Sequence, residues 1–187
     1  MPRITLYEDL SDPTEGQRAI HQAILDGPRG KLVGPLRAVL RVPALAGPWQ
    51  EIGAHLRFGS ALSPRQSELV ILTVARHWNS ELEWQIHAGD ALRAGVDEAK
   101  IAAIRDGLAP GLEDPVEADL HRFTALILKS GDVDDALHAA LTAELGEPAM
   151  VELVALIGYY TMVALMLNAQ GILPPDGARP LSQGCNR

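Results

Sequence analysis

The chain has 187 residues, 47% of them hydrophobic and only 4% aromatic, so its apolar content is mostly Ala, Leu, Val and Ile, enough for one core of packed helices. A net charge of −8, with no run of Lys and Arg, argues against non-specific binding to nucleic acid, which needs basic patches to neutralise phosphates. Cys185 is the only cysteine, which excludes an intrachain disulfide, a thiolate zinc site and a dithiol redox pair.

Residues 1–13 read as an extended arm ending at Asp12–Pro13. Thr14, with Gln17 three residues on, forms a capping box for a helix to about Leu25, which Asp26–Gly27–Pro28 stops. Gly34–Pro35 opens a short helix through Leu40. Pro43 starts an amphipathic one to Phe58, with Leu45, Trp49, Ile52 and Leu56 inward. Two helices joined by a turn at His77–Ser80 then form the centre of the chain. Ser63 and Pro64 start the first, and Ala88, Ala91 and Gly95 on the second allow a close neighbour. Asp97 caps a helix covering about Glu98–Asp106, with Ile101 and Ile104 inward. A Gly/Pro loop leads to another over about Pro115–Lys129, burying Leu120, Phe123, Ile127 and Leu128. Asp132 caps the next, to Leu145, and the last runs from near Pro148 to Asn168, closed by Gly171.

No strand pattern appears, so an all-α fold is expected, as one domain over 1–187 with a tail from 174 to 187. The apolar run Ala149–Leu167 contains Glu152 and is followed by Asn168 and Gln170, which favours a buried core helix over a membrane span. The polar, acidic N-terminus lacks the apolar stretch of a signal peptide, and a cytoplasmic protein is expected. The last helix also repeats the pattern of the first central one: Pro148, Glu152, Leu153, Val154 and Leu156 follow Pro64, Glu68, Leu69, Val70 and Leu72, as a duplicated helical unit would.

The chemistry concentrates in the central pair. Glu68 shares a face with Ile71, Leu72 and Ala75, and a carboxylate on an apolar stripe needs a partner. Glu83, Trp84 and His87 share a face of the next helix, so two antiparallel helices bring Glu68 against His87. A Glu beside a His in an apolar pocket fixes its tautomer, raises its basicity or relays a proton. The same pair is also able simply to tie two helices together. Glu83 and His87, with Glu68 third, form a conceivable metal ligand set, although no metal is expected. Arg65, Arg76 and His77 are the nearest cations for an anionic substrate. Tyr159, Tyr160, Met162 and Asn168 line a pocket if the last helix packs on the central pair; core packing is their default. Ser182 and Cys185 lie in the tail without an activating partner. There is no phosphate loop, nucleophile elbow, HExxH or CxxC.

The stretch LSPRQSELVILTVARHWNSELEWQIHAGDALRAGV resembles the carboxymuconolactone decarboxylase family, within the alkylhydroperoxidase-D-like fold. The upstream GPLRAVLRVPALAGPWQEIGAHLRFGSALSP fits its longer members. The resemblance covers about residues 34–107 and implies an all-helical homo-oligomer, a trimer or a hexamer built from trimers. Peroxidase-type relatives carry a CxxC motif whose positions here are Ser80 and Glu83, so thiol peroxidase activity is not expected. The branch without cysteines implies cofactor-independent loss of carbon dioxide from a carboxylated muconolactone. His87 would act as acid or anion stabiliser, Glu68 would orient and reprotonate it, and Glu83 would be a second carboxylate within reach. Trp84 and Arg65 are the expected substrate-binding residues. A ligand-binding or structural oligomer without turnover is the alternative.

Overall fold

A computed structural model describes residues 1–181 and, among them, contains helices and no strand. Nine helices follow in order: α1 (Glu15–Asp26), α2 (Leu36–Val39), α3 (Pro43–Phe58), α4 (Pro64–Trp78), α5 (Glu81–Arg93), α6 (Glu98–Arg105), α7 (Pro115–Ser130), α8 (Asp135–Leu145) and α9 (Glu147–Gln170).

Helix α4 is the axis of the molecule, packed by α5, α7 and α9. Its start is fixed by a capping box: Ser63 Oγ accepts from the Gln66 N–H and Gln66 Oε1 accepts from the Ser63 N–H, with Pro64 where no N–H is needed. Every residue from Ser67 to Ala75 is buried, so the apolar stripe of the sequence has become a helix enclosed all round. At its end Asn79 takes the left-handed conformation (φ 49°), while the N–H groups of Asn79 and Ser80 bond the carbonyls of Arg76 and Ala75. This is a Schellman turn with Asn in the place of Gly. It reverses the chain within two residues and lays α5 along α4, which brings His87 back to Glu68.

Elsewhere the structure corrects several expectations. Helix α3 buries Ala46, Trp49, Gly53 and Leu56, whereas Leu45 and Ile52 are exposed. The inward face is rotated because α3 meets α9 through small residues, with Trp49 edge-on to Tyr159 at 5.9 Å between ring centroids. Helix α8 is capped by Asp134, whose Oδ1 accepts from the Leu137 N–H, while Asp132 Oδ1 takes the Val133 N–H. Asp97 stands at the N-cap of α6 but pairs with Lys100 instead of capping by its side chain. Ile127 and Leu128 are half-buried.

The N-terminal arm is not merely extended. It makes a 3-10 turn at Tyr7–Asp9, buries Leu6 and Tyr7, and sends Arg3 to the orphan carbonyls ending α9, with Nη1 2.7 Å from Ala169 O. The tail also packs back, the Leu181 N–H donating to Glu81 Oε2 at 2.9 Å. Ser182 and Cys185 lie outside the described residues. Helix α9 is long and apolar enough to cross a membrane, yet half of its most apolar window is buried within the fold, as in a core helix.

Candidate active site

Glu68 and His87 form the centre of the site. Both are buried, and His87 Nδ1 lies 2.7 Å from Glu68 Oε2. With Glu68 as the carboxylate, Nδ1–H is the donor and Nε2 carries the free lone pair. Burial lowers the His87 pKa; the Glu68 hydrogen bond and charge oppose this, while the Arg57 and Arg29 charges add to the lowering. The imidazole is therefore neutral at pH 7, a base rather than an imidazolium acid. Tyr160 stands edge-on to it at 5.0 Å, its own phenol held far above the ordinary value by burial.

Glu83 is 1% exposed and has no hydrogen-bond partner on either carboxyl oxygen. Burial pushes its pKa well above the carboxylate range. The neighbouring Ser80 hydroxyl works against that shift without bonding in normal geometry, and Ser80 Oγ is itself buried and unpartnered. The N-terminus of α5 also favours the anion, but by only about 0.3–1 kcal/mol, against desolvation that raises buried carboxyls by several pKa units. Burial wins, and Glu83 is a neutral acid.

His87 and Glu83 line a cavity of about 40 Å³, with Arg29, Arg57, Tyr159 and Tyr160 around it. Leu36, Ile86 and Val163 supply apolar wall. Arg57 is anchored by Asp90, its Nη2 2.7 Å from Oδ2. Glu68, His87 and Asp90 stand close enough together to ligate an ion. Both Asp90 oxygens, however, already accept from guanidinium groups, Oδ2 from Arg57 and Oδ1 from Arg93, so a dication there would compete with two fixed cations. The donor set matches a proton-transfer network better than a metal centre.

Of the residues predicted from sequence, Glu68, His87 and Glu83 converge, and Tyr159 and Tyr160 join them. Trp84 and Arg65 do not. Trp84 packs into a second core cluster with Leu69, Leu72 and Ile104, on the side of α5 away from the cavity. Arg65 grips the buried Glu117 with two hydrogen bonds and also donates to Gly95 O, tying α4 to α7. Met162 is partly exposed, and Asn168 donates to Trp78 O. Arg76 bonds Arg105 O and Asn79 Oδ1, outside this cavity. Sequence reading missed Arg29, Arg57 and Asp90. Asp90 lies one turn after His87 on the same helix, a spacing that was there to be read; the arginines come from segments with no local link to the pair.

Residues 43–126 match the carboxymuconolactone decarboxylase family. The solved structure of an uncharacterised peroxidase-related protein from Silicibacter sp. TM1040 superposes with a TM-score of 0.76 at 12% identity, covering 92% of this chain and 91% of that one. That likeness is of fold. No curated protein matches the chain. The matched segment holds α3 to α6 and with them Glu68, Glu83 and His87, and over that segment the chain is similar to the carboxymuconolactone decarboxylase family.

Proposed function

We propose that the cavity around His87 is the active site of a cofactor-independent lyase of the carboxymuconolactone decarboxylase type, acting on a small carboxylated lactone or ring acid by general acid–base catalysis. One observation carries the reading: a neutral, unpartnered Glu83 carboxyl and a neutral, Glu68-oriented His87 line the same cavity. Burial shifts the two groups in opposite directions, the carboxyl up and the imidazole down, so each favours its neutral form, one as acid and the other as base.

In the proposed reaction the bond between the ring carbon and its carboxylate breaks, carbon dioxide leaves, and the electron pair spreads into the conjugated ring. The Glu83 carboxyl then gives its proton to carbon. The Glu83 carboxylate left behind is unstable in so dry a place, and a solvent proton passed through His87 restores it. Glu68 holds the imidazole in the tautomer that accepts and passes that proton. Arg57, fixed by Asp90, stabilises the developing negative charge. No sulfur is involved, and the single cysteine of the chain leaves the thiol chemistry of peroxidase-type relatives without its reagent.

The homo-oligomer implied by the family is part of the proposal. It is supported by the exposed apolar side chains of α3 (Leu45, Ile52, Phe58) and α9 (Val151, Val154, Leu165). The small cavity also favours a second reading, in which the Glu68–His87 pair ties helices in an oligomer that binds ligand without turnover. Carboxymuconolactone, followed by its absorbance and by carbon dioxide release, separates the two. Turnover that falls roughly 10²–10⁴-fold in both Glu83→Gln and His87→Gln supports the lyase. Turnover unchanged in both variants sinks the assignment.

A further inference from the structure

Arg29 stands outside the helices, on the 27–35 segment between α1 and α2. Its Nη2 reaches Tyr159 Oη over a long 3.4 Å, and its Nε is buried without a partner. No carboxylate among the described residues forms an ion pair with it. Arg57, across the same cavity, is satisfied by Asp90, and burial holds Glu83 neutral. The cavity therefore contains a guanidinium with open donors and no anion of its own to take them. The planar fork of a guanidinium matches a carboxylate through two parallel hydrogen bonds.

Resting on the reading of this cavity as the substrate site, we propose that Arg29 is the receptor for the ligand's carboxylate and that the 27–35 segment is the lid that carries it. Size supports the second half. The cavity of about 40 Å³ holds a few waters, whereas small-molecule sites usually measure roughly 300–1,000 Å³. An outer chamber of about 440 Å³ lies against it, and Val33, Gly34 and Ile86 line both. Displacing Val33 and Gly34 merges the two. The segment is built to move: Gly30 (φ 63°) and Gly34 (φ 57°) are left-handed, and a Cβ at either would meet nothing within 4 Å. Among the described residues, the only backbone hydrogen bond donated by 28–34 is from Gly30 to Gly27 O, within the segment itself. A ring acid enters the outer chamber, Arg29 takes its carboxylate, and closure brings the ring between Leu36 and Val163, facing His87 and Glu83. The site thereby selects anions over neutral molecules of the same shape.

The test is calorimetric titration of the full chain with benzoate and with benzamide, its neutral isostere. Benzoate is expected to bind at least tenfold more tightly than benzamide. Arg29→Gln lowers benzoate affinity at least tenfold and leaves benzamide unchanged, and Arg29→Lys, which keeps the charge and loses the fork, falls between. Amide exchange over 28–34 slows when benzoate is bound. Benzoate binding is measured without turnover, so the lyase assignment is free to fail alone. Equal affinity for benzoate and benzamide, benzoate binding indifferent to both Arg29 variants, or no benzoate binding at millimolar concentration each overturns the proposal.

Discussion

Gly53 offers a test in which two physical effects oppose each other in sign. It lies in the middle of α3, where replacing Gly by Ala adds about 1 kcal/mol of helix propensity. A Cβ there, however, would fall well under 3.0 Å from Tyr159 Oη and Arg29 Nη2, two neighbouring groups that both line the cavity. The Tyr159 ring has little freedom to retreat, being held edge-on by Trp49 and Tyr160. Overpacking a rigid site costs roughly 1–3 kcal/mol, so after the propensity gain Gly53→Ala is expected to lose up to about 2 kcal/mol net. For a chain of this size that lowers Tm by up to roughly 8 °C. Differential scanning calorimetry reads the shift, and benzoate titration of the same sample reads the damage to the cavity. A rise in Tm with benzoate affinity intact would show that propensity wins. The close approach of α3 to Tyr159 and Arg29 would then be wrong.

Glu83→Gln keeps the shape of a neutral carboxyl and removes its titration. Because the folded pKa is raised, the native state holds a proton that the unfolded state releases above about pH 4.5, so wild-type stability falls as pH rises from there. Urea titrations should find the variant increasingly more stable than wild type as pH rises, by about 1.4 kcal/mol per pH unit within the window; a difference independent of pH would mean Glu83 is ionised in the fold. His77, His87 and His121 are all lowered by burial, so the unfolded state takes up protons below about pH 6.5 that the native state refuses, and stability falls on acidification. Proton uptake on unfolding near pH 6 should drop in His87→Gln, and an unchanged uptake would refute its neutrality. Arg65→Gln strands the buried Glu117 and should cost about 1–3 kcal/mol in urea melts while leaving benzoate affinity intact; loss of binding would return Arg65 to the site. Light scattering should find an oligomer that Val151→Glu with Ile52→Glu weakens, whereas a monodisperse wild-type monomer would leave the exposed faces of α3 and α9 unexplained.

The central pair was legible because its signals are local and agree with one another. A capping box starts α4, a turn residue ends it, and Glu68 and His87 sit on the apolar faces that must meet. The error over Trp84 came from the same kind of signal. Trp84 and His87 are three apart and Glu83 and His87 four, so both neighbours look coplanar with the histidine, although one residue turns a helix by about 100°. The third dimension decides, and α4 with α6 claims the indole while the cavity claims the carboxyl. The rotated face of α3 has a related cause: Leu45 and Ile52 satisfy the period, but the close approach needs Ala46 and Gly53. Arg29 and Arg57 left no local trace, since what makes them site residues is the cavity they line with α5 and α9.

On the proposed function, the exchange at Ser80 and Glu83 turns one backbone to a different chemistry. By resemblance, these are the positions where peroxidase-type relatives place two thiols. A helix N-terminus favours an anion, so a cysteine in the first turn of α5 would be drawn toward the reactive thiolate. A carboxyl in the same place meets the same dipole, but its ordinary pKa is already low and its burial is nearly complete. Desolvation therefore dominates and moves it the other way, to the protonated form. The same turn that would pair electrons in a dithiol here stores a proton beside a histidine base. The Glu68–His87 pair, which would relay protons to a thiol, is left facing an acid that only a proton acceptor in the cavity is able to discharge.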